Sequence, residues 1–191
     1  MSGPRLFRCI IAAALSVLAF VPTPAARASG TNCVTLLLAG SDGTSRRTPA
    51  AQVDLGCYDT FAEALAVGSS GAIEVPGSIT PDALTDAMVA GDVGPASSSV
   101  LIGTEWDGTG YTGVSQNYFA AATCSTGVTW EVADVTATWD NVFSSGKGFG
   151  GCDTNKKFQN VNFGGNVVTC TPNCSNYGSL SNQVSSLRWK P

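Results

Sequence analysis

The pattern aromatic-x4-aromatic-x-Gly occurs twice, as Trp106-Asp-Gly-Thr-Gly-Tyr111-Thr-Gly113 and as Phe158-Gln-Asn-Val-Asn-Phe163-Gly-Gly165. Two aromatic rings five positions apart can stack over a turn, and the glycine can adopt backbone angles that other residues resist. Each stretch therefore predicts a folded hairpin. The repetition indicates that this part of the chain contains a duplicated unit.

A small polar hexamer follows each stretch, Asp140-Asn141-Val142-Phe143-Ser144-Ser145 and Ser181-Asn182-Gln183-Val184-Ser185-Ser186. Asparagine and serine side chains offer amide and hydroxyl oxygens there, and backbone carbonyls can point at the same space. Hard oxygen ligands without sulfur or imidazole suit Ca²⁺. The alternative is that these side chains only satisfy backbone groups in a turn.

Together the two pieces, present twice and in order, resemble the βγ-crystallin Greek-key signatures (F/Y/W)-x4-(F/Y/W)-x-G and (N/D)-(N/D)-x-x-(S/T)-S. The resemblance covers roughly residues 97–191. It implies two four-stranded Greek keys packed as a sandwich, with two Ca²⁺ sites across the paired motifs. The second residue's side chain and the third residue's carbonyl of each hexamer would bind one ion, and the fifth-position hydroxyl would reach the ion of the other motif.

Carried onto this chain, the implied ligands are Asn141, Val142, Ser144, Asn182, Gln183 and Ser185, with Asp140 as the single carboxylate in either hexamer. Ser181 stands where the signature has an acid or amide. Because few negative charges face the ion, we expect weak binding, on the order of 10⁻⁴–10⁻³ M.

The first 28 residues have the layout of a secretory signal. Met1–Arg8 carries two arginines and no acid, Cys9–Val21 is apolar except for one serine, and Ala26-Arg27-Ala28 matches a cleavage site. The apolar run is shorter than the roughly 20 residues that span a bilayer. We expect cleavage after Ala28, a secreted protein and no membrane span.

Charge and histidine content exclude several function classes. The chain has 10 basic and 14 acidic residues and no histidine, and the signal removes three arginines and no acid, which leaves 7 against 14. This acidic balance argues against a nucleic-acid partner. Without histidine there is no Ser-His or Cys-His nucleophile pair and no imidazole base. Of the acids, Glu105 and Glu131 are expected on solvent faces of strands.

The remaining basic and aromatic residues also suggest no catalytic site, so an enzyme is not expected. Lys147, Lys156 and Lys157 read as a solvated patch. The tryptophans are expected in the core or in strand packing rather than as a sugar platform: Trp106, Trp130, Trp139 and Trp189.

Six cysteines remain after signal removal: Cys33, Cys57, Cys124, Cys152, Cys170 and Cys174. An even count in an exported chain predicts disulfides, and six cysteines allow 15 connectivities. The preferred set pairs Cys33–Cys57, Cys124–Cys152 and Cys170–Cys174, because each pair then stays within one proposed unit. The last pair also has a ligand-like spacing for zinc, which the lack of histidine and the oxidising compartment disfavour.

A composition break at Ala90–Ser99 divides the mature chain into a small α+β segment, 29–96, and the βγ-crystallin-like domain, 97–191. The fold class is therefore mainly β, a double Greek-key sandwich with an N-terminal α+β extension. The elements predicted in the extension are strands at Cys33–Leu38 and Ala72–Val75, a helix from the Thr60 capping box to Gly68, and a helix from Thr80 to Gly91.

Three function classes follow. The first is a secreted Ca²⁺-binding protein whose ion stabilises the fold. The second is an inhibitor of an extracellular protease, since actinobacterial metalloproteinase inhibitors have a similar fold; its candidate loops are Ser144–Cys152 and Cys170–Cys174. The third is a toxin or antimicrobial factor with a cell-surface target, since killer-toxin-like proteins are also similar in fold. Fold alone does not decide among them.

Overall fold

The computed structural model describes residues 30–38, 50–90 and 99–191. The predicted signal segment 1–28 lies outside these residues. So does the proposed boundary between 96 and 97, which stays a prediction.

The described residues are mainly β, as predicted. The elements are β1 Asn32–Leu38, β2 Ala51–Tyr58, α1 Phe61–Gly68, α2 Asp86–Val89, β3 Val100–Trp106, β4 Ser115–Ala120, β5 Trp130–Val132, β6 Ser145–Gly148, β7 Thr154–Asn160, β8 Gly164–Cys170 and β9 Ser186–Lys190. They form one sheet in the order β2-β1-β4-β3-β6 and a second in the order β5-β9-β7-β8.

Each of the two sequence motifs forms one Greek key. Its third strand lies in the sheet that holds the other three strands of the other motif. The first motif places β3, β4 and β6 in the first sheet, while β5 pairs with β9 in the second. The second motif places β7, β8 and β9 in the second sheet, while Cys174 pairs with Gly146 of β6 in the first. The double Greek-key sandwich predicted from the repeated motifs is confirmed.

The N-terminal segment extends the first sheet. Strand β1 pairs in parallel with β4, with Asn32 opposite Ser115, and β2 pairs antiparallel with β1. Helix α1 packs against this sheet and begins with the predicted capping box, in which the Glu63 N–H donates to Thr60 Oγ1 over 3.2 Å and the Thr60 N–H donates to the Glu63 carboxylate over 3.1 Å.

Two predictions for this segment are wrong. Residues 72–75 form no strand, because the Ile73 N–H donates to Ser69 Oγ at the end of α1 instead of to a neighbouring strand. The expected helix from Thr80 is a 3₁₀ turn, Pro81–Ala83, followed by the short α2. Leu84 interrupts it with an extended backbone and is 3% exposed, so burial of this side chain outweighs continuation of the helix.

The centre of the first sheet, β3 and β4, is buried on both faces. Its outer face packs on α1 through a cluster that includes Trp106, Phe119 and Leu65. Its inner face packs on the second sheet through a cluster that includes Tyr118 and Trp189. Because successive side chains of a strand alternate between faces, neighbouring residues of β3 are both buried.

Three disulfides tie the fold together: Cys33–Cys57, Cys124–Cys152 and Cys170–Cys174. This is the pairing preferred from the sequence. The first disulfide links β1 to β2 at directly opposed positions. None of the helices in the described ranges is long and apolar enough to cross a membrane.

Candidate functional site

Both aromatic pairs form the predicted folded corners. The ring centroids of Trp106 and Tyr111 lie 5.4 Å apart with planes at 68°, and those of Phe158 and Phe163 lie 5.5 Å apart at 72°. The second aromatic of each pair has a positive φ, 64° at Tyr111 and 63° at Phe163. Non-glycine residues seldom adopt this conformation, so the agreement indicates one shared backbone design.

The last serine of each hexamer closes the corner of its own motif. Ser145 Oγ accepts from the Tyr111 N–H over 3.1 Å and donates to the Gly108 carbonyl over 2.6 Å. Ser186 Oγ makes the matching bonds, from the Phe163 N–H over 3.0 Å and to the Asn160 carbonyl over 2.7 Å. No role was predicted for these two serines, although both hexamers end in serine.

The two hexamers meet across the interface between the motifs. The Asn141 N–H donates to the Val184 carbonyl over 3.0 Å, and the Asn182 N–H donates to the Phe143 carbonyl over 2.9 Å. Both asparagines are left-handed, with φ of 59° and 57°. The two bends are therefore related by an approximate two-fold axis.

Each hexamer also donates a side-chain hydrogen bond to the other hexamer, and each of these two contacts is called a crossing below. Ser144 Oγ donates to Asn182 Oδ1 over 3.0 Å, and Ser185 Oγ donates to the Asp140 carboxylate over 2.5 Å. The structure thus brings each fifth-position hydroxyl to the other hexamer, as the family resemblance implies. In the second crossing the partner is Asp140 rather than Asn141, whose amide donates to the same carboxylate over 3.0 Å.

The crossings offer only oxygen atoms as ligands. Each combines a largely buried hydroxyl, with Ser144 3% and Ser185 6% exposed, and a carboxylate or amide oxygen nearer the surface. Val142 and Gln183 follow the two left-handed asparagines. This donor chemistry fits a hard divalent cation such as Ca²⁺. Within the described part of the chain, no three His, Cys, Asp or Glu residues cluster to hold a metal.

Two residues expected on solvent faces lie at the centre of the sandwich. Glu105 and Lys157 are 0% and 1% exposed and form an ion pair between the sheets, and Tyr177 donates to the same carboxylate. Burial raises the pKa of Glu105 against the opposing effect of the Lys157 ammonium, and burial lowers the pKa of Lys157. Strand alternation accounts for their position, because Glu105 directly precedes Trp106 and Lys157 directly precedes Phe158, and each aromatic side chain lies on the other face of its sheet.

Glu131 and Lys147 are also less exposed than predicted. Glu131 is 5% exposed and accepts from Arg188 over 2.5 Å. The Lys147 ammonium donates to the Asp82 carbonyl over 2.6 Å and to the Leu84 carbonyl over 3.3 Å. Burial lowers the pKa of Lys147, while the Asp82 carboxylate acts in the opposite direction. Lys147 therefore joins the N-terminal segment to the sandwich by hydrogen bonds and does not lie in the solvated patch that was predicted.

One candidate inhibitory loop is partly a strand. The glycine-rich stretch Ser144–Cys152 contains β6, whose four residues are buried, and only Gly150 and Gly151 form a partly exposed turn. The Cys170–Cys174 turn, in contrast, exposes Thr171 and Asn173.

Several solved structures are similar to a part of the chain. A βγ-crystallin from an archaeon is 18% identical over 47% of this chain and 96% of its own, with a TM-score of 0.35. A double mutant of a βγ-crystallin domain from Clostridium beijerinckii is 18% identical over 46% and 96%, with a TM-score of 0.37. A βγ-crystallin domain from Flavobacterium johnsoniae is 21% identical over 46% and 92%, with a TM-score of 0.32. No protein-family model and no curated protein matches the chain.

Proposed function

We propose that this protein is a secreted Ca²⁺-binding protein in which the ion stabilises a disulfide-linked double Greek key. The observation that carries the proposal is the crossing of the hexamers, in which Ser144 meets Asn182 and Ser185 meets Asp140. An ion bound at either crossing would join the two motifs, so its binding free energy would add to the stability of the folded sandwich.

One ion would be held by the Asn182 side chain, the Gln183 carbonyl and the Ser144 hydroxyl. The other would be held by the Asn141 side chain, the Val142 carbonyl and the Ser185 hydroxyl. Ca²⁺ takes six to eight oxygen ligands, so water would complete each set.

Asp140 makes the two sites unequal. It contributes the only carboxylate of the two hexamers and contacts Ser185, so the site that uses Ser185 should bind the ion more tightly. Low ligand charge places both sites at the weak, extracellular end of Ca²⁺ affinities, on the order of 10⁻⁴–10⁻³ M. Three disulfides suit the same oxidising compartment.

Thermal unfolding with and without Ca²⁺ tests the proposal. For a dissociation constant of about 1 mM, 10 mM Ca²⁺ adds about 1.4 kcal/mol per site, which raises the melting temperature by roughly 3–6 °C. EDTA should reverse the gain, and Asn141→Ala or Asn182→Ala should each remove part of it. Asn166→Ala changes an exposed asparagine outside the hexamers and is the matched control.

Calorimetry decides the case if the variants melt too early to compare. If several millimolar Ca²⁺ gives the unmodified protein neither binding heat in a titration nor a higher melting temperature, the proposed ion sites are refuted. The double Greek key would stand, because its hydrogen bonds do not require the ion.

A second candidate function is inhibition of an extracellular protease through the Cys170–Cys174 turn. This turn exposes Thr171 and Asn173 and is closed by a disulfide, and Asn173 Oδ1 also accepts from the Gly148 N–H over 3.2 Å. A rigid exposed loop loses little entropy on binding. Stoichiometric inhibition of a thermolysin-like or subtilisin-like protease, lost when the turn is cleaved, would support it; no inhibition at equimolar protein would exclude those two protease types.

A further inference from the structure

The contact between Glu105 and Lys157 joins the two sheets at the centre of the sandwich. Glu105 lies on β3 of the first sheet, and Lys157 lies on β7 of the second sheet, 52 positions later. The Lys157 Nζ atom contacts Glu105 Oε1, and both side chains are almost fully buried. The contact therefore places an amine directly beside a carboxyl carbon, and these are the two reacting groups of an amide bond.

Aromatic side chains lie over the amine. Lys157 Nζ is 5.1 Å from the ring centroid of Trp189 and 5.8 Å from that of Tyr177, and both rings are buried. Because the amine is already held beside the carboxyl group, their reaction needs no further loss of translational freedom. The rings also keep water away, which protects a product amide from hydrolysis.

Tyr177 supplies an acid at the oxygen that would have to leave. Its hydroxyl donates to Glu105 Oε2, the carboxylate oxygen that Lys157 does not contact. A proton donated to a leaving oxygen lowers the barrier to its departure. Gly146 of β6 makes room for this arrangement, because a Cβ there would overlap with both the Tyr177 hydroxyl and the Glu105 carboxylate.

The buried environment favours the reactive protonation states of both groups. Burial raises the pKa of Glu105 and lowers the pKa of Lys157, in each case against the attraction of the opposite charge. Transfer of one proton from the ammonium to the carboxylate is therefore easier here than in water. It yields a neutral amine, which is the nucleophilic form, and a neutral carboxylic acid, which is attacked more readily than a carboxylate.

We propose that Glu105 and Lys157 condense after folding to an internal isopeptide bond that links the two Greek-key motifs. A bond forms between Lys157 Nζ and Glu105 Cδ, and the bond between Cδ and Oε2 breaks. The leaving oxygen departs as water with two of the three ammonium protons, one of them relayed by the Tyr177 hydroxyl. The step needs no oxidant or reductant.

The reaction should be slow compared with folding. Burial raises the pKa of Tyr177 well above its usual value, so this hydroxyl is a weak acid. Protein that has not yet condensed keeps the ion pair. The bond would close a loop of 52 positions, whereas the disulfides span 24, 28 and 4 positions. Because a longer closed loop restricts the unfolded chain more, condensed protein should have the higher urea midpoint.

Mass spectrometry of the reduced, unfolded chain tests the proposal. Storage of the folded protein at neutral pH should convert it to a species lighter by one water, about 18 Da. Chymotrypsin cleaves after aromatic residues such as Trp106 and Phe158, so the condensed chain should give one branched peptide that contains both Glu105 and Lys157. A full-mass chain after about ten days would overturn the proposal. So would a loss of water located at Asp107-Gly108, which is cyclisation of an aspartate.

Three variants assign the reaction to its residues. Lys157→Met should abolish the branched peptide, whereas Lys156→Met should retain it, because neighbouring side chains of a strand lie on opposite faces. Tyr177→Phe should slow the loss of water about a hundredfold, and an unchanged rate would overturn the acid role of Tyr177. If Lys157→Met does not fold, the peptide map of the unmodified protein still decides whether the bond forms.

Discussion

The two Greek-key motifs share a backbone and differ in the side chains that they attach to it. The two motifs have the same ring contact in the aromatic corner, the same hydrogen bond from the corner N–H to the last serine, and the same left-handed asparagine. At three other points they diverge. The interior position before the first aromatic is Glu105 or Lys157, and the first hexamer position is Asp140 or Ser181. In the loop before each hexamer, the residue with a positive φ is Thr136 (71°) or Gly178 (61°). The shared bonds specify the fold, and the divergent positions are where the motifs have separate roles.

The largest effect is expected at the interior position, where the motifs contribute opposite charges to one ion pair. Lys157→Met leaves the Glu105 carboxylate buried without its cation, which should cost about 3–5 kcal/mol of unfolding free energy in urea. The double variant Glu105→Gln with Lys157→Met keeps an acceptor for the Tyr177 hydroxyl and removes both charges. It should recover most of the loss. If Lys157→Met is as stable as the unmodified protein, the buried carboxylate does not depend on this ion pair and the prediction is wrong.

The next effect tests whether the corner serines are equivalent. Ser145→Ala and Ser186→Ala each leave a corner N–H and a corner carbonyl without the hydroxyl, and both serines are 0% exposed. Each substitution should therefore lower the unfolding free energy by about 1–3 kcal/mol, measured by urea unfolding.

The informative result is the difference between the two serine variants. Equal losses would support one shared corner design. A loss in one motif and none in the other would show that only one corner depends on its serine. Ser179→Ala, at an exposed loop serine, is the control and should be neutral.

The left-handed loop position should give a smaller effect of opposite sign in the two motifs. Gly178→Ala should cost about 1–2 kcal/mol from the backbone alone, because a Cβ there would meet no atom within 4 Å. Thr136→Gly relieves the same strain in the folded state, but it also raises the conformational entropy of the unfolded chain. The net effect should be neutral or stabilising, by up to about 1 kcal/mol. Thermal and urea unfolding measure both. Destabilisation by Thr136→Gly beyond that by Gly178→Ala would mean that the threonine is kept for packing.

The sequence predicted those parts of the fold in which local chemistry and tertiary structure agree. The corner motifs and the Thr60 capping box each satisfy their own backbone groups, so a short stretch is sufficient to identify them. Strand β2 was missed, since its half-exposed residues, with Gly56 at a φ of 100°, show little alternation. Its position depends on pairing with β1, which a local pattern does not reveal.

The candidate site was predicted as a set of residues but not as a geometry. The hexamers identified Asn141 and Asn182, yet the crossing of Ser144 and Ser185 to the opposite hexamer came only from the family resemblance. The buried pair of Glu105 and Lys157 was assigned to the surface because charge was given more weight than strand alternation.

The smallest effect concerns the first hexamer position and the ion. Asp140→Asn removes the only hexamer carboxylate and should weaken total Ca²⁺ affinity several-fold, while Ser181→Asp adds the missing acid to the second motif and should strengthen it by a similar factor. Asp140→Asn keeps an oxygen that can accept from the Ser185 hydroxyl, and Ser181→Asp loses a hydroxyl that donates to Asn176 Oδ1 over 3.1 Å. Stability without Ca²⁺ should therefore change by no more than about 1 kcal/mol in either variant. Calorimetric titration with Ca²⁺, with Mg²⁺ as the control ion, measures the affinities. Opposite shifts in the two variants would trace the unequal sites to this position, whereas identical titrations would mean that charge at the first position does not reach the ion.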